Sequence, residues 1–166
     1  VFVCKKGWKL VGTDSAGCQI RMLAARMGDE GYLRTVLEGD KDKGTDIHSV
    51  NMRAAGLNSR GQAKTFFYGF LFGAGDAKVG KIVKGTAQDG RRLKTQFLEG
   101  LPALADLLTR LTAEWRKNAK TRPSKWGRGV EYYNGWVTGL DGRPIFVASE
   151  HAILVYVLQS DEAIMM

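Results

Sequence analysis

The chain has 166 residues, a formal net charge of +8 at pH 7 and 44% hydrophobic residues, enough for one domain with a buried core or for part of a larger domain. A mean hydropathy of −0.22 without a long uncharged apolar run excludes a membrane-spanning protein, and two cysteines exclude a disulfide framework. The positive charge favours a polyanionic partner but distinguishes neither DNA from RNA nor either of them from a membrane surface.

The N-terminal segment is predicted to form a strand, a turn and a helix. The apolar stretch from Trp8 to Thr13 favours a strand, after which Asp14 or Ser15 can cap a helix. Four apolar residues fall on one face of that helix: Ile20, Leu23, Ala24 and Met27.

A second helix is predicted to follow a charged loop at residues 39–44. Thr45 or Asp46 can cap this helix, and Gly56 marks its end. His48 falls in its first turn, where a histidine is more often structural or exposed than functional.

The middle of the chain carries the clearest helix signal. Ser59 and Gln62 fit a capping box, and Gly73 stands where a C-terminal cap belongs. These signals predict a helix from Arg60 to Phe72.

Two more helices and a loop are predicted to follow. One helix covers residues 88–98, and Pro102 opens the other. The second helix has a stripe typical of core packing, formed by Leu104, Leu107, Leu108, Leu111 and Trp115. The basic segment 118–128 lacks periodicity and is predicted to be a loop or a weak element.

The C-terminal segment is predicted to form a hairpin and a helix. Trp136–Thr138 and Ile145–Val147 flank a turn that contains Asp141 and Gly142, a strong short-range hairpin signal. A last helix is predicted from near His151. Many helices with a minority of strands indicate an α+β fold.

Four residues of the predicted helix 60–72 form a ridge that suits a nucleotide: Arg60, Lys64, Tyr68 and Phe72. A step of four residues turns a helix by about 400°, so the ridge spirals slowly. Cations near a helix N-terminus can neutralise phosphates, and rings one or two turns later can stack on a base or contact a sugar. The alternative is a surface helix whose cations are solvated and whose aromatic side chains turn into the core.

Asp14 is a candidate metal ligand. It ends the predicted strand just before a glycine-containing turn, where a carboxylate can face a hard cation such as Mg²⁺. The alternative is that Asp14 only caps the next helix. A lone carboxylate cannot build a two-metal site, which requires a second acidic group.

Residues 75–82 (GDAKVGKI) nearly match the phosphate-binding loop GxxxxGK[ST]. However, Ile82 replaces the hydroxyl residue, and the segment follows a predicted helix rather than a strand. Both observations argue against a P-loop protein. Gly73 and Gly75 are predicted instead to form a turn that another backbone can approach closely.

In this order, the segments resemble the polymerase region of family A DNA polymerases, especially those of the T-odd phages and their podovirus relatives. Residues 14–21 (DSAGCQIR) are similar to motif A, and residues 60–69 (RGQAKTFFYG) are similar to motif B, the fingers helix. Further similarities are the phage-type segments 46–48 (DIH) and 70–76 (FLFGAGD), the palm hairpin at 139–143 (GLDGR) and the minor-groove segment at 158–160 (LQS).

The resemblance implies a role for each matching residue. Asp14 is the implied ligand of two Mg²⁺ ions, the carbonyl of Ser15 joins one of them, and Asp14 and Lys64 are the implied catalytic residues. The implied nucleotide-binding residues are Gln19, His48, Arg60, Lys64 and Tyr68. The implied DNA-binding residues are Arg21, Phe72, Gly73 and Gln159.

Four features depart from the family pattern. Gln19 stands where the family has Glu, next to the Tyr68-type ring that excludes ribonucleotides, and it keeps hydrogen-bonding ability but loses the charge. Phe72 replaces Tyr, and Val155 replaces Asn. Extra charged residues between Gly39 and Asp46 are expected to form a surface insertion.

The resemblance implies a partial polymerase right hand, with mostly helical fingers and a small antiparallel palm sheet. Residues 1–30 and 119–166 are the implied palm parts, the second with a hairpin at about 132–147 and the start of a palm helix, and residues 31–118 are the implied fingers. Motif C, with the second metal ligand, is expected after Met166. The chain is therefore predicted to be a fragment, cut at both ends and inactive alone.

The resulting hypothesis is a DNA-directed DNA polymerase, a nucleotidyltransferase that extends a primer by a two-metal mechanism. Its expected partners are primer–template DNA and deoxynucleoside triphosphates, without a membrane, and its expected location is the cytoplasm of the host cell. The first alternative is a noncatalytic nucleic-acid-binding module that kept the basic ridge. The second is a P-loop-like nucleotide-binding protein.

Overall fold

Helices dominate the described residues, and two small antiparallel sheets precede the last helix in the C-terminal third of the chain. The structure is a computed structural model that describes residues 3–12, 15–124, 127 and 129–166. Within these ranges the α-helices are α1 Cys18–Met27, α2 Glu30–Glu38, α3 Ile47–Ala54, α4 Arg60–Leu71, α5 Asp76–Ile82, α6 Ala87–Glu99, α7 Pro102–Asn118 and α8 Ile153–Met165. The strands are β1 Lys120–Pro123, β2 Val130–Tyr133, β3 Gly135–Thr138 and β4 Pro144–Val147. This arrangement confirms the α+β prediction.

The core is built around aromatic rings of α4 and α6. Phe66, Phe67 and Phe97 are fully buried, and the ring of Phe97 lies edge-on at 5.1 Å from Phe66 and 6.0 Å from Phe67, centroid to centroid. Such edge-to-face pairs add about 0.5–1.5 kcal/mol beyond the burial of their area. The apolar faces predicted for α1 and α7 are confirmed as core, with Leu108 only partly buried.

The predicted hairpin is confirmed, and α7 anchors it. Trp136 pairs with Phe146 and Val137 with Ile145 in the β3–β4 register. Trp115 on α7 is buried and donates a hydrogen bond from its indole Nε1 to the carbonyl oxygen of Val147, at 2.9 Å. The hairpin is thereby attached to the helical core through one aromatic side chain.

Residues 118–128, predicted to be a loop or a weak element, contain one strand, and residues 125, 126 and 128 lie outside the described residues. Lys120–Pro123 forms β1, which pairs antiparallel with β2. Arg122 links the two strands, since its guanidinium lies 2.9 Å from Glu131 and 5.0 Å from the centroid of the Tyr133 ring. The partner strand lies about ten residues further along the chain, so local periodicity did not predict the pairing.

The strand predicted from Trp8 to Thr13 is not present in the part of it that the structure describes. Residues 8–12 have no strand conformation, and Trp8 is 74% exposed. A strand requires a neighbour to complete its hydrogen bonds, and the four described strands pair only with one another. Helix α1 begins at Cys18 with Gly17 as a left-handed N-cap, so Ser15 is not its cap; Thr13 and Asp14 lie outside the described residues.

Two helix starts also differ from prediction. Helix α2 was not predicted, although Asp29 caps it by accepting a hydrogen bond from the backbone N–H of Tyr32 at 2.9 Å. At α4, Ser59 accepts from the Gln62 N–H at 3.4 Å, but the Gln62 amide donates to the carbonyl of Ile82. Only half of the predicted capping box therefore forms.

Helix α5 covers the segment that resembles a phosphate-binding loop. A helix that starts at Asp76 and follows α4 is not a strand–loop–helix unit. Gly80 allows the turn before α6 to pack against α5, because a Cβ atom there would lie 1.9 Å from the carbonyl oxygen of Thr86. The P-loop alternative is wrong for this chain.

The predicted close approach at the turn after α4 is confirmed at Gly73. Its φ is +69°, and a Cβ atom there would lie 2.4 Å from the carbonyl oxygen of His151. Gly75 has no atom within 4 Å of the corresponding position. The start of the C-terminal helical segment therefore touches the turn after α4 at one glycine.

In the described ranges, no helix is both long enough and apolar enough to cross a membrane.

Candidate functional site

Helix α4 separates its buried face from the ridge formed by Arg60, Lys64, Tyr68 and Phe72. The buried residues of this helix are Ala63, Phe66, Phe67 and Leu71. On the ridge, Lys64 is exposed, Arg60 and Tyr68 are half-buried, and Phe72, the cap residue, is 50% exposed. The alternative in which the ridge aromatics turn into the core is wrong for Phe72, while Tyr68 packs against the edge of the core. The ridge remains accessible to a ligand.

Arg60 forms an ion pair with Asp46, the N-cap residue of α3. Its Nε lies 3.2 Å from both carboxylate oxygens and its Nη2 lies 2.8 Å from Oδ1. Asp46 also accepts hydrogen bonds from the backbone N–H of His48 at 3.0 Å and from the hydroxyl of Ser49. Burial alone raises the pKa of Asp46, but the hydrogen bonds from Arg60, Ser49 and His48 outweigh it and hold that pKa well below its usual range.

His48 lies behind the ridge with one nitrogen unsatisfied. It is 9% exposed, and its ring centroid lies 6.1 Å from Tyr68 and 6.5 Å from Phe67. Among the described residues its Nδ1 has no hydrogen-bond partner, whereas a structural histidine in a core normally satisfies both nitrogens. Burial and the nearby charges of Arg60 and Lys64 lower the pKa of His48 below its ordinary value, against the opposing effect of the Asp46 carboxylate.

Lys64 is the cation of the ridge that is open to solvent. It stands one turn after Arg60, about 6 Å along the helix axis. Within the described part of the chain no carboxylate forms an ion pair with it. The first half of α4 therefore offers one solvated cation and one cation shared with Asp46 to an anion.

Tyr68 also borders a small cavity. The cavity holds about 160 Å³ and is lined by Gly17, Cys18, Gln19, Ile20, Tyr68 and Glu162. The Gln19 amide donates a hydrogen bond from Nε2 to Oε2 of Glu162 at 3.3 Å. Two predicted nucleotide contacts, Gln19 and Tyr68, are therefore brought together, with a carboxylate from α8 that sequence analysis did not identify.

Two residues that sequence analysis did not identify as site residues, Asp46 and Glu162, support these contacts. The sequence predicts Asp46 as a cap and as part of the phage-type segment, but not as the partner of Arg60. Its position as an N-cap residue was the local signal that could have pointed to it. Glu162 had no such signal, because 143 residues separate it from Gln19.

The residues predicted to contact DNA lie in two places. Phe72 and Gly73 stand at the C-terminal end of α4, where Gly73 touches the backbone of His151. Arg21 is exposed on α1 and donates from Nε to the carbonyl of Ala16 at 3.3 Å, and Gln159 is exposed on α8. Helices α1 and α8 pack against each other, so Arg21 and Gln159 belong to one helix pair.

The predicted metal ligands are only partly described. Asp14 lies outside the described residues, and Ser15 is exposed, with its carbonyl accepting a hydrogen bond from the Cys18 N–H at 3.2 Å. A carboxylate and a carbonyl are the oxygen donors that a hard cation prefers, but one carboxylate does not complete a site for two ions. In residues 3–12, 15–124, 127 and 129–166, no three His, Cys, Asp or Glu side chains are grouped to hold a metal ion.

Comparisons with known proteins give close relatives among phage enzymes. The chain is 41% identical over 165 residues to a DNA-directed DNA polymerase of Enterobacteria phage T3 and to one of Escherichia phage T7, in each case over 96% of this chain and 22% of the relative. It is 32% identical over 157 residues to a DNA-directed DNA polymerase of Escherichia phage Phieco32, over 81% of this chain and 23% of the relative. The chain thus spans about a fifth of the length of these relatives. No family model matches the sequence.

A solved structure shows the same fold at lower identity. The POL domain of Pol1 from M. smegmatis, in complex with DNA primer-template and dNTP, superposes with a TM-score of 0.65 at 17% identity. The match covers 92% of this chain and 27% of that chain. The fold is therefore that of part of a polymerase right hand.

Proposed function

Because this chain belongs to the family A DNA polymerases, in the subgroup of the T-odd phages, we propose that the whole protein synthesises DNA on a primed template. The reaction transfers a nucleotidyl group from a deoxynucleoside triphosphate to the 3′-hydroxyl of the primer and releases pyrophosphate. The chain spans about a fifth of its relatives, so this activity is proposed for the whole protein. The 166 residues alone, with the single carboxylate of motif A, are proposed to be inactive.

The observation that carries the proposal is the order of groups along the ridge of α4. Cations come first at Arg60 and Lys64, the ring of Tyr68 follows one turn later, and the exposed ring of Phe72 ends the ridge. A nucleoside triphosphate presents phosphates, sugar and base in the same order. The binding site is therefore proposed to run along this helix, with the phosphates at its N-terminal half.

The phosphate end of the site is proposed to consist of Arg60, Lys64 and His48. Lys64 is solvated and can approach an oxygen of the triphosphate directly. The unsatisfied Nδ1 of His48 is buried, so a contact between His48 and a phosphate requires its ring to turn toward the ridge. Arg60 is held by Asp46, so a phosphate has to share its donors with that carboxylate. Lys64 is the proposed catalytic residue of this group, because its charge can stabilise the negative charge that develops as pyrophosphate leaves.

The sugar and the DNA are proposed to lie beyond Tyr68. Tyr68 and Gln19 border one cavity and are proposed to contact the incoming sugar. Phe72 and Gly73 are proposed to lie near the template base. Arg21 and Gln159, on the α1–α8 pair, are proposed to contact the primer–template duplex.

Mg²⁺ is the proposed cofactor, held by the carboxylate of Asp14 and the carbonyl of Ser15 together with an acidic group from elsewhere in the protein. When bound, the ions supply charge neutralisation at the phosphates and activation of the primer hydroxyl. Asp14 is accordingly the second proposed catalytic residue.

The chain is proposed to contribute palm at residues 1–30 and 119–166 and fingers at residues 31–118. The packing of α1 against α8 supports the joining of the two palm parts, and the packing of α4 against α3 and α5 supports the fingers. The ridge then belongs to the fingers and the cavity beside Tyr68 lies where the fingers meet the palm.

Primer extension tests the proposal. The complete protein is incubated with a primed template, Mg²⁺ and all four deoxynucleotides, beside an Asp14→Asn variant. Extension that follows the template and is lost in the variant is the expected result. A folded protein that binds the DNA but does not extend it would favour the noncatalytic nucleic-acid-binding module, and extension that survives in the variant would remove Asp14 from the site.

A further inference from the structure

Helices α1 and α8 are joined by two polar contacts. Arg26 forms two hydrogen bonds of 2.6 Å with the carboxylate of Asp161, which is 1% exposed. Gln19 donates to Glu162 at 3.3 Å. Both acidic residues lie in the second half of α8, next to each other in sequence.

These contacts fix the direction of the Glu162 side chain. Neighbouring residues on a helix point about 100° apart, so Asp161 and Glu162 cannot reach the same place. They contact residues at opposite ends of α1, about 10 Å apart along its axis. The buried ion pair between Asp161 and Arg26 thereby sets the rotation of α8, and that rotation aims Glu162 at Gln19.

Glu162 consequently forms part of the cavity beside Tyr68. The cavity of about 160 Å³ has three polar side chains in its lining, Gln19, Tyr68 and Glu162. The cations of the ridge, Lys64 and Arg60, stand one and two turns from Tyr68, respectively, toward the N-terminus of α4. The carboxylate is therefore placed at the end of the site remote from the proposed phosphate contacts.

We propose that Glu162 is a specificity-determining residue that favours deoxyribose over ribose in the incoming nucleotide. This inference rests on the proposed function, and it adds a residue that neither the motifs nor the comparisons assign. The Gln19–Glu162 hydrogen bond lies in the lining of the cavity next to Tyr68. A 2′-hydroxyl that enters this space must break that bond or leave a polar group without a partner, and either outcome disfavours the ribonucleotide.

The test is single-nucleotide primer extension by the complete protein, with kcat/KM measured for a deoxynucleotide and for the matching ribonucleotide. Glu162→Ala should lower the ratio of the two values by about tenfold or more, because the amide of Gln19 is released and the cavity opens. Glu162→Gln keeps the size of the side chain and an acceptor oxygen, so its ratio should stay within about threefold of the unaltered protein. Glu99→Ala, which removes an exposed carboxylate at the end of α6, controls for loss of charge.

An exchange of the two side chains provides a second, independent test. Gln19→Glu places two carboxylates at hydrogen-bond distance and should lower the ratio, since they repel each other. The double variant Gln19→Glu, Glu162→Gln restores an amide–carboxylate pair in the reverse direction and should restore the ratio. This exchange tests the role of Glu162 even if the Glu162→Ala variant does not fold, as judged by circular dichroism.

The failures of the two proposals are distinguishable. If the unaltered protein does not extend the primer with deoxynucleotides, the proposed function is wrong. If it does extend the primer, two results would contradict the role of Glu162. One is a folded Glu162→Ala variant with the same kcat/KM ratio as the unaltered protein. The other is a double variant whose ratio is no higher than that of Gln19→Glu.

Discussion

Arg60 Nη2 lies 2.8 Å from Asp46 Oδ1, so the first cation of the α4 ridge is already engaged by a carboxylate. The same carboxylate caps α3 and carries hydrogen bonds from His48 and Ser49. Asp46 therefore joins the start of α3 to the start of α4 and holds Arg60 near the proposed phosphate site. A triphosphate that binds here competes with Asp46 for the guanidinium.

Asp46 is expected to make the protein less stable in acid. Its pKa is depressed in the folded state, so its stabilising contribution is fully present above the unfolded pKa of about 3.9 and is lost as the pH falls toward the lower folded pKa. Asp46→Asn keeps a capping side chain but loses the ion pair, and it should lower the free energy of unfolding by about 1 kcal/mol at pH 7. Below pH 4 the difference between the two proteins should shrink. Thermal unfolding between pH 3 and pH 7 measures this, and parallel profiles over the whole range would contradict it.

Gly73→Ala is expected to destabilise the contact between the turn after α4 and the backbone of His151. A Cβ atom would lie 2.4 Å from the His151 carbonyl oxygen, at a φ of +69° that alanine rarely adopts. The expected loss is roughly 2 kcal/mol, from backbone strain and steric overlap. Gly75→Ala is the matched control, because nothing lies within 4 Å of its added atom. Equal melting temperatures for the two variants would show that the contact is not tight in solution.

Lys64→Ala in the complete protein is expected to lower kcat/KM for deoxynucleotides by roughly 10²-fold. The reason is the loss of a solvated cation next to the proposed triphosphate position. Lys78→Ala is the control, because it removes the same charge from an exposed position of α5 outside the proposed site. Its kcat/KM should stay within about threefold of that of the unaltered protein. Steady-state primer extension measures both, and an unchanged rate for Lys64→Ala would remove that residue from the site.

Tyr68→Phe is expected to change sugar discrimination with little loss of rate. The substitution removes one hydroxyl from a ring that borders the cavity and leaves the packing of the ring against the core. The ratio of kcat/KM for deoxy and dideoxy nucleotides should change by roughly tenfold, whereas Tyr156→Phe, at an exposed position of α8, should leave it unaltered. Unchanged discrimination in Tyr68→Phe would show that the ring does not face the sugar.

Local signals were enough to predict most of the helical elements. The cap at Ser59, the left-handed Gly73 and the stripe that ends at Trp115 act within a few residues, and each appears in the structure as expected. The prediction of a strand at residues 8–12 is wrong because an apolar run forms a strand only beside another strand. β1 was missed for the complementary reason, since Val130–Tyr133 supplies its hydrogen bonds.

The sequence by itself determined the ridge on α4, because residues four apart share a helix face whatever the helix packs against. It also determined the family, through motifs that lie in short contiguous segments. Tertiary structure alone decided that Phe66 and Phe67 enter the core while Phe72 stays exposed, that Asp46 engages Arg60, and that Glu162 meets Gln19 beside Tyr68. These contacts depend on how whole helices cross, and the crossing of α1 and α8 brings together side chains 143 residues apart that no local pattern connects.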